Sequence, residues 1–136
     1  LPIFLYDTRH QGIALLHVGW KGARQDIVER AFENMKRQWQ SQPQDIQVAF
    51  GPAIRPCCYA VGEEFRDYFP EETIERGGKR YFDLPKASRN QLLHSGVAET
   101  NIFDCGICTC CDQNYFSYRR EGKRAGRMIS LMMLKD

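Results

Sequence analysis

One histidine of this chain lies where a ligand or substrate could reach it. His17 falls near the end of the apolar run 12–18, and a Gly-Trp-Lys-Gly segment (19–22) follows. A neutral imidazole at a strand-to-helix turn can bind zinc or act as a base, and the neighbouring glycines let a substrate approach the backbone. The alternative is a hydrogen-bonded structural histidine. His10 and His94 are predicted to be plain surface residues.

Cysteines form a second group of candidate ligands. The six are Cys57, Cys58, Cys105, Cys108, Cys110 and Cys111. The segment 105–111 contains a C-x-x-C, whose two thiolates can hold one tetrahedral zinc from a knuckle-like turn. No C-x-x-C lies outside this segment, and the adjacent pair 57–58 is not expected to converge on one ion. We therefore predict free thiols, buried or partly exposed, with a structural zinc knuckle as the alternative.

Disulfides are not the expected use of these cysteines. The chain is larger than a disulfide-stapled mini-protein and shows no signal-peptide pattern, which favours thiols, metal ligands or catalysis. Cys57 or Cys58 together with His17 would supply the residue types of a nucleophile and its base. Sequence spacing alone does not bring them together.

A basic segment near the C-terminus has the composition of an anion site. Tyr115 and Phe116 precede a Ser-Tyr-Arg-Arg run, and three more cations follow by position 127. Guanidinium groups match phosphate or carboxylate geometry, so we assign Arg119 and Arg120 to substrate binding. Aromatic interleaving could also stack a nucleobase, but the near-neutral chain favours a local anion pocket over a nucleic-acid track. A solvated basic turn is the alternative.

The elements that must position these residues follow from hydrophobic patterning. Two strands joined by a polar turn are predicted over 3–6 and 12–18, then an amphipathic helix over 24–40 and a strand over 46–50. Further along, helices are predicted at 63–69 and 85–94, and strands at 81–84, 101–104 and 128–134, with a cysteine-rich loop before the last strand. The order of strand, helix and strand predicts a layered α/β domain.

Composition limits the class of protein. The 136 residues are 43% hydrophobic and 26% charged, which excludes intrinsic disorder and predicts a single globular domain. A net charge of +2 is too small for a dedicated nucleic-acid-binding protein. The sequence shows neither a long apolar stretch nor a signal-peptide pattern, so a cytoplasmic location with no membrane partner is expected.

Four ordered blocks carry a resemblance to a known family. The segment 17–22, H-V-G-W-K-G, is similar to that family's H-A-G-W-R-G, and 51–62, G-P-A-I-R-P-C-C-Y-A-V-G, is similar to G-P-A-I-G-P-C-C-Y-E-V-G. The segment 82–92 resembles L-D-L followed by N-x-x-Q-L, and 108–128 resembles C-T, F-F-S-Y-R-R and G-R-M in order. The family is the YfiH/YlmD type, long labelled multicopper polyphenol oxidase or laccase-domain proteins and now regarded as zinc-dependent purine nucleoside phosphorylases.

The resemblance implies a YfiH-like layered mixed sheet with helices packed on it. It also implies a zinc ion held by two histidines and one cysteine, of which His17 is one ligand and a catalytic residue. The other two belong to Q-V-H-G and A-D-C-x-P blocks that precede Leu1 in the family. We therefore expect residues 1–136 to form one laccase-type domain that lacks the upstream segment and, by itself, has little zinc affinity and little activity.

The activity implied by the resemblance is phosphorolysis. Adenosine, inosine, guanosine or methylthioadenosine and phosphate would give free base and ribose 1-phosphate, with adenosine deamination as a second activity. Zinc can polarise a reacting group, and arginines can neutralise phosphate. A copper-dependent laccase is an alternative, although three histidines are few for several coppers. A non-enzymatic zinc and nucleic-acid-binding module is another.

Overall fold

A computed structural model of the chain describes residues 1–135. The strands are β1 (Pro2–Asp7), β2 (Gly12–His17), β3 (Ile46–Phe50), β4 (Ala60–Val61), β5 (Thr73–Arg76), β6 (Lys79–Phe82) and β7 (Ile102–Asp104). The helices are α1 (Trp20–Arg24), α2 (Ile27–Trp39), α3 (Phe65–Tyr68), α4 (Leu84–His94) and α5 (Tyr118–Glu121). Short 3-10 turns cover Pro43–Asp45, Glu99–Asn101 and Gly122–Arg124.

The main sheet is mixed, with the strand order β2-β1-β3-β7. β1 lies antiparallel to both β2 and β3, and β7 lies parallel to β3. Alternate residues of β1 point into the core, where Ile3 and Leu5 are fully buried. The predicted opening hairpin is confirmed, as are the predicted strands at 46–50 and 101–104 to within a residue.

A second, smaller antiparallel sheet has the order β4-β6-β5. β5 and β6 are joined by Gly77 and Gly78, whose φ angles of 56° and 69° suit a tight hairpin turn. The strand predicted at 81–84 lies two residues earlier in the structure. β6 spans Lys79–Phe82, and Leu84 is already the first residue of α4.

The helix predicted over 24–40 is confirmed as α2, which begins three residues later, and a separate short helix, α1, precedes it. Asp26 adopts a left-handed conformation with φ 55°, which a continuing helix does not allow. The Gln91 side chain of α4 donates a hydrogen bond of 2.6 Å to the carbonyl of Ala23, so the broken end is satisfied by a distant residue. α2 then buries Val28, Phe32 and Met35 against the sheet, as its periodicity predicted.

The hydrophobic core lies between these layers. α2 packs on β2 and on α4, and Asp83 caps α4 by accepting a hydrogen bond from the Lys86 amide. Phe65, Phe69 and Phe82 form an aromatic cluster with ring centroids 4.4–5.9 Å apart, which joins the smaller sheet to α3. The arrangement confirms the predicted α/β class with helices packed on a mixed sheet.

The strand predicted over 128–134 is wrong. The segment pairs with no strand in the described part of the chain, and Ile129, Leu131 and Met133 are each more than four-fifths exposed. Apolar composition makes a strand favourable only when a neighbouring backbone completes its hydrogen bonds.

Among residues 1–135 no helix combines the length and hydrophobicity that crossing a bilayer requires.

Candidate functional site

One edge of the main sheet gathers the ends of all four strands. β2, β3 and β7 end there and β1 begins there, because His17 pairs with Pro2, the Gly51 amide bonds to the Pro2 carbonyl and Phe50 pairs with Asp104. Adjacent strands lie about 4.8 Å apart, so the backbones of His17 and Asp104 are separated by about 14 Å. We call this edge the rim. The motifs that begin at 17, 51 and 105 all leave the sheet from it.

His17 occupies the end of β2, an outer strand of the sheet, and its side chain is exposed. Val18 is fully buried and anchors the chain, and Gly19 then provides the extended residue before α1. Trp20 stacks on Tyr68 with ring centroids 6.3 Å apart. The predicted strand-to-helix turn is therefore present, and it holds the imidazole toward solvent at the rim.

A single imidazole does not make a zinc site. Among residues 1–135, His17 belongs to no group of three potential metal ligands and forms no hydrogen bond with Cys57 or Cys58. His10 instead contacts the buried Asp7 at 2.9 Å through Nδ1, and His94 is exposed. The described residues alone therefore do not fit the two-histidine, one-cysteine zinc site that the resemblance implies.

Two segments that leave the rim carry the cysteines; we call residues 51–59 and 105–117 the cysteine loops. They are joined by backbone hydrogen bonds, because the Ala53 amide donates to Ile107 and the Thr109 amide donates to Ala53 at 3.0 Å. Arg55 carbonyl accepts the amides of Cys58 and Tyr59, which closes a turn in the first loop. This short parallel bridge aligns the two sets of thiols.

The cysteine loops bring four sulfur atoms together. The Sγ atoms of Cys57, Cys58, Cys108 and Cys111 all lie within 4.8 Å of one another. Cys111 Sγ is 3.3 Å from that of Cys58 and 3.6 Å from that of Cys57. The expectation that adjacent cysteines do not converge is therefore wrong, because the turn over 55–58 directs both side chains to one side. The C-x-x-C that contributes to this cluster is formed by Cys108 and Cys111.

Three of these thiols have a shifted pKa. Burial, with hydrogen bonds from neighbouring thiols, raises the pKa of Cys57 to about 11 and raises that of Cys58 further. Burial also acts to raise the pKa of Cys108, but hydrogen bonds from the backbone of Cys111, Arg55 and Cys110 outweigh it and lower that pKa to about 7. The backbone around Cys108 therefore stabilises its thiolate, whereas the surroundings of Cys57 and Cys58 favour the thiol.

The two arginines assigned to substrate occupy different settings. Arg120 Nη1 donates to the carbonyls of Thr109 and Cys110 at 2.8 and 3.0 Å, and Nη2 donates to the carbonyl of Tyr115 at 2.6 Å. Arg119 is exposed, donates to the Ala60 carbonyl at 2.8 Å and lies over the Tyr59 ring. Arg120 holds the second cysteine loop together, whereas Arg119 faces solvent beside the first.

A buried ion pair at the rim escaped the sequence analysis. Arg55 and Asp104 form a two-pronged pair whose side chains are 12% and 19% exposed. Burial opposes ionisation of Asp104, but the hydrogen bond from Arg55 lowers its pKa. The pair borders an open cleft of about 380 Å³ that Lys86 and Arg89 also line. The two residues are 49 positions apart, so no local sequence pattern could reveal the pair.

Comparisons with known proteins assign the chain to a family. The family described as multi-copper polyphenol oxidoreductase laccase matches residues 1–135. A purine nucleoside phosphorylase of Clostridium acetobutylicum is 38% identical over 99% of this chain and 59% of its own length. Purine nucleoside phosphorylase YlmD of Geobacillus stearothermophilus is 34% identical over 97% of this chain and 52% of its own. The chain spans about half to three fifths of these relatives.

Solved structures extend the agreement to the fold. The crystal structure of YlmD from Geobacillus stearothermophilus superposes with a TM-score of 0.81 at 34% identity, over 88% of this chain and 48% of that one. Bacillus licheniformis YfiH, described as a hypothetical protein, gives the same TM-score at 29% identity, again over 88% and 48%. The sequence match and the YfiH-like fold confirm the resemblance, and the chain belongs to the multi-copper polyphenol oxidoreductase laccase family.

Proposed function

We propose that this chain contributes the rim of a purine nucleoside phosphorylase. The reaction is the phosphorolysis of adenosine, inosine, guanosine or methylthioadenosine to free base and ribose 1-phosphate, with adenosine deamination to inosine as a second activity. Support comes from relatives at 34% and 38% identity that are named purine nucleoside phosphorylases. The single observation that carries the proposal is the rim, where the His17, Gly51 and cysteine-loop motifs leave one sheet edge together.

His17 is proposed as one ligand of a catalytic zinc ion. Its exposed side chain at the end of an outer strand leaves room for other ligands to approach it. The remaining ligands are proposed to be the second histidine and the cysteine that the family resemblance implies.

Arg119 is proposed to bind the phosphate or to position the nucleoside. In the described part of the chain it makes one hydrogen bond, so most of its guanidinium donors can reach an anion. Arg120 is proposed to position the substrate indirectly, because its hydrogen bonds hold the second cysteine loop in place. In phosphorolysis, a phosphate oxygen forms a bond to the anomeric carbon while the glycosidic bond breaks, and the base leaves with the electron pair and takes up a proton.

The test is a product assay on the purified protein encoded by the reading frame that contains this chain. Adenosine is incubated with and without phosphate, and adenine is separated from inosine by chromatography. Phosphate-dependent adenine supports phosphorolysis, and phosphate-independent inosine supports deamination. If a zinc-loaded protein forms neither product, the proposal is wrong. His17→Ala should abolish both products, and His94→Ala is the matched control because His94 is exposed on α4.

Copper-dependent polyphenol oxidation is the competing function that the family description suggests. Its chemistry requires several copper ions, and these are gathered mainly by histidines. In the part of the chain that the structure describes, no histidine belongs to a group of three potential ligands. The same full-length protein distinguishes the two functions: a blue copper site absorbs in the visible, whereas a zinc protein is colourless.

A further inference from the structure

We propose that Cys57, Cys58, Cys108 and Cys111 bind one zinc ion as a structural site, separate from His17. The four sulfur atoms come from both cysteine loops, and they lie within 4.8 Å of one another. Such a site would fasten together two loops that share little regular secondary structure. The proposal is independent of the catalytic activity proposed above, because none of the four ligands is a residue assigned to substrate.

The sulfur spacing fits a tetrahedral thiolate site. A zinc–sulfur bond of about 2.3 Å gives a tetrahedron whose edge is about 3.8 Å. The two shortest distances, 3.3 Å from Cys58 and 3.6 Å from Cys57 to the sulfur of Cys111, lie close to that edge. A disulfide requires about 2.05 Å, so these sulfurs are not bonded to each other, and all four cysteines are free.

The loop architecture is typical of a metal knuckle. Cys108 and Cys111 are separated by two residues, and the Asp112 amide donates 3.0 Å to the Cys108 carbonyl, which closes the turn between them. The second pair arrives from the turn over 55–58. Cys57 and Cys111 are exposed, while Cys58 and Cys108 are half-buried, so an ion can enter from solvent and still be held on its inner side.

Cations surround the backbone of both loops. Arg55, Arg76 and Arg120 donate to the carbonyls of Ile107, Cys57 and Cys110 respectively. Four thiolates with one zinc ion carry a net charge of −2, and nearby guanidinium groups offset such a charge. Arg55 and Arg120 also form ion pairs with Asp104 and Glu121. These arginines therefore position the two loops, and the convergence of the four sulfur atoms is what supports the zinc site.

The experiment measures zinc in the full chain purified with its thiols reduced. Native mass spectrometry and elemental analysis should find one zinc ion per chain. Replacement by cobalt should give the visible bands of a tetrahedral ion together with a near-ultraviolet thiolate charge-transfer band. Removal of the metal by a chelator should lower the melting temperature. A reduced chain that binds neither ion would overturn the proposal.

Variants separate this site from the others. Cys108→Ser should abolish the cobalt thiolate band, whereas Cys105→Ser is the matched control from the same loop and should retain it. His17→Ala should also retain one zinc ion, which distinguishes the cysteine site from a site at His17. If Cys108→Ser does not fold, Cys111→His should keep a bound ion with a weaker thiolate band, since histidine is also a zinc ligand.

Two outcomes contradict the site. Loss of the ion in His17→Ala with retention in Cys108→Ser would place the metal elsewhere. A disulfide between Cys58 and Cys111 in protein purified without reductant, combined with no metal binding after reduction, would make the cluster a redox pair instead.

Discussion

The main sheet and the cysteine loops are stabilised by different physical means. The sheet buries Ile3, Leu5 and Phe50 completely or nearly so, and helix α2 covers it with Phe32. The cysteine loops bury little apolar surface. They depend on arginine hydrogen bonds to backbone carbonyls, such as those of Arg120, and on four converging thiols.

This difference separates stability from chemistry. Apolar burial is non-directional and insensitive to redox state or metal supply, so the sheet provides a rigid edge. Hydrogen bonds and thiolates are directional and sensitive to both, so the loops can hold ligands in defined positions. The comparison predicts that the two regions respond to different perturbations.

Truncation of the core should have the largest effect on stability. Phe32→Ala removes a fully buried ring between α2 and the sheet, and it should lower the free energy of unfolding by about 3–5 kcal/mol. Denaturant unfolding measures the change. Phe103→Ala on β7 is the control, because its side chain is 67% exposed and should cost far less. Equal losses in the two variants would contradict the assignment of the core.

Acid should weaken the sheet through Asp7. This carboxylate is fully buried, which favours the neutral form, but hydrogen bonds from Ser41, His10 and Arg9 outweigh burial and lower its pKa to about 2. Its contribution is complete above the unfolded pKa of about 4 and is lost as the pH falls toward 2. This shift in the pKa of Asp7 corresponds to about 2 kcal/mol of the free energy of unfolding.

The pH dependence is measured by denaturant unfolding between pH 6 and pH 2, with about half-unit steps. The wild-type chain should lose about 2 kcal/mol more over this range than Asp7→Asn, which cannot ionise. A parallel loss in both proteins would assign the acid sensitivity to other carboxylates.

Loss of Arg120 should affect the loops and leave the sheet intact. Arg120→Met removes hydrogen bonds to at least three carbonyls of the second cysteine loop and should cost about 1–2 kcal/mol. Thermal unfolding with and without chelator measures this loss of stability. The loss should be smaller after a chelator has removed the zinc ion proposed for the cysteine cluster. Arg119→Met, with one hydrogen bond, is the control and should cost about 0.5 kcal/mol or less.

The smallest stability effect is expected at His17. His17→Ala removes an exposed side chain at the end of β2 and should change the free energy of unfolding by about 0.5 kcal/mol or less. Thermal unfolding of the chain measures this change. A large destabilisation would mean that the imidazole is structural and would weaken its assignment as a metal ligand.

Much of the fold followed from local patterning. The apolar residues of α2 recur at helical spacing, and the opening hairpin alternates around a polar turn, so both elements were predictable before any tertiary contact was known. The break at Asp26 was not, because one of the contacts at this point is distant in sequence: the Gln91 side chain of α4 donates to the Ala23 carbonyl, which also accepts the Asp26 amide. The final segment 128–134 failed for a related reason: its composition suits a strand, but a strand also needs a neighbour.

The sequence by itself determined the family, the α/β class and the residue types available for chemistry, because motif blocks and hydrophobic periods are local properties of the chain. Only the tertiary structure decided which of those residues meet. It aligned His17 and Asp104 on one rim, paired Arg55 with Asp104, and converged Cys57 and Cys58 with Cys108 and Cys111. Convergence depends on the strand order and on turn geometry, which relate residues about 50 positions apart through contacts that no local spacing encodes.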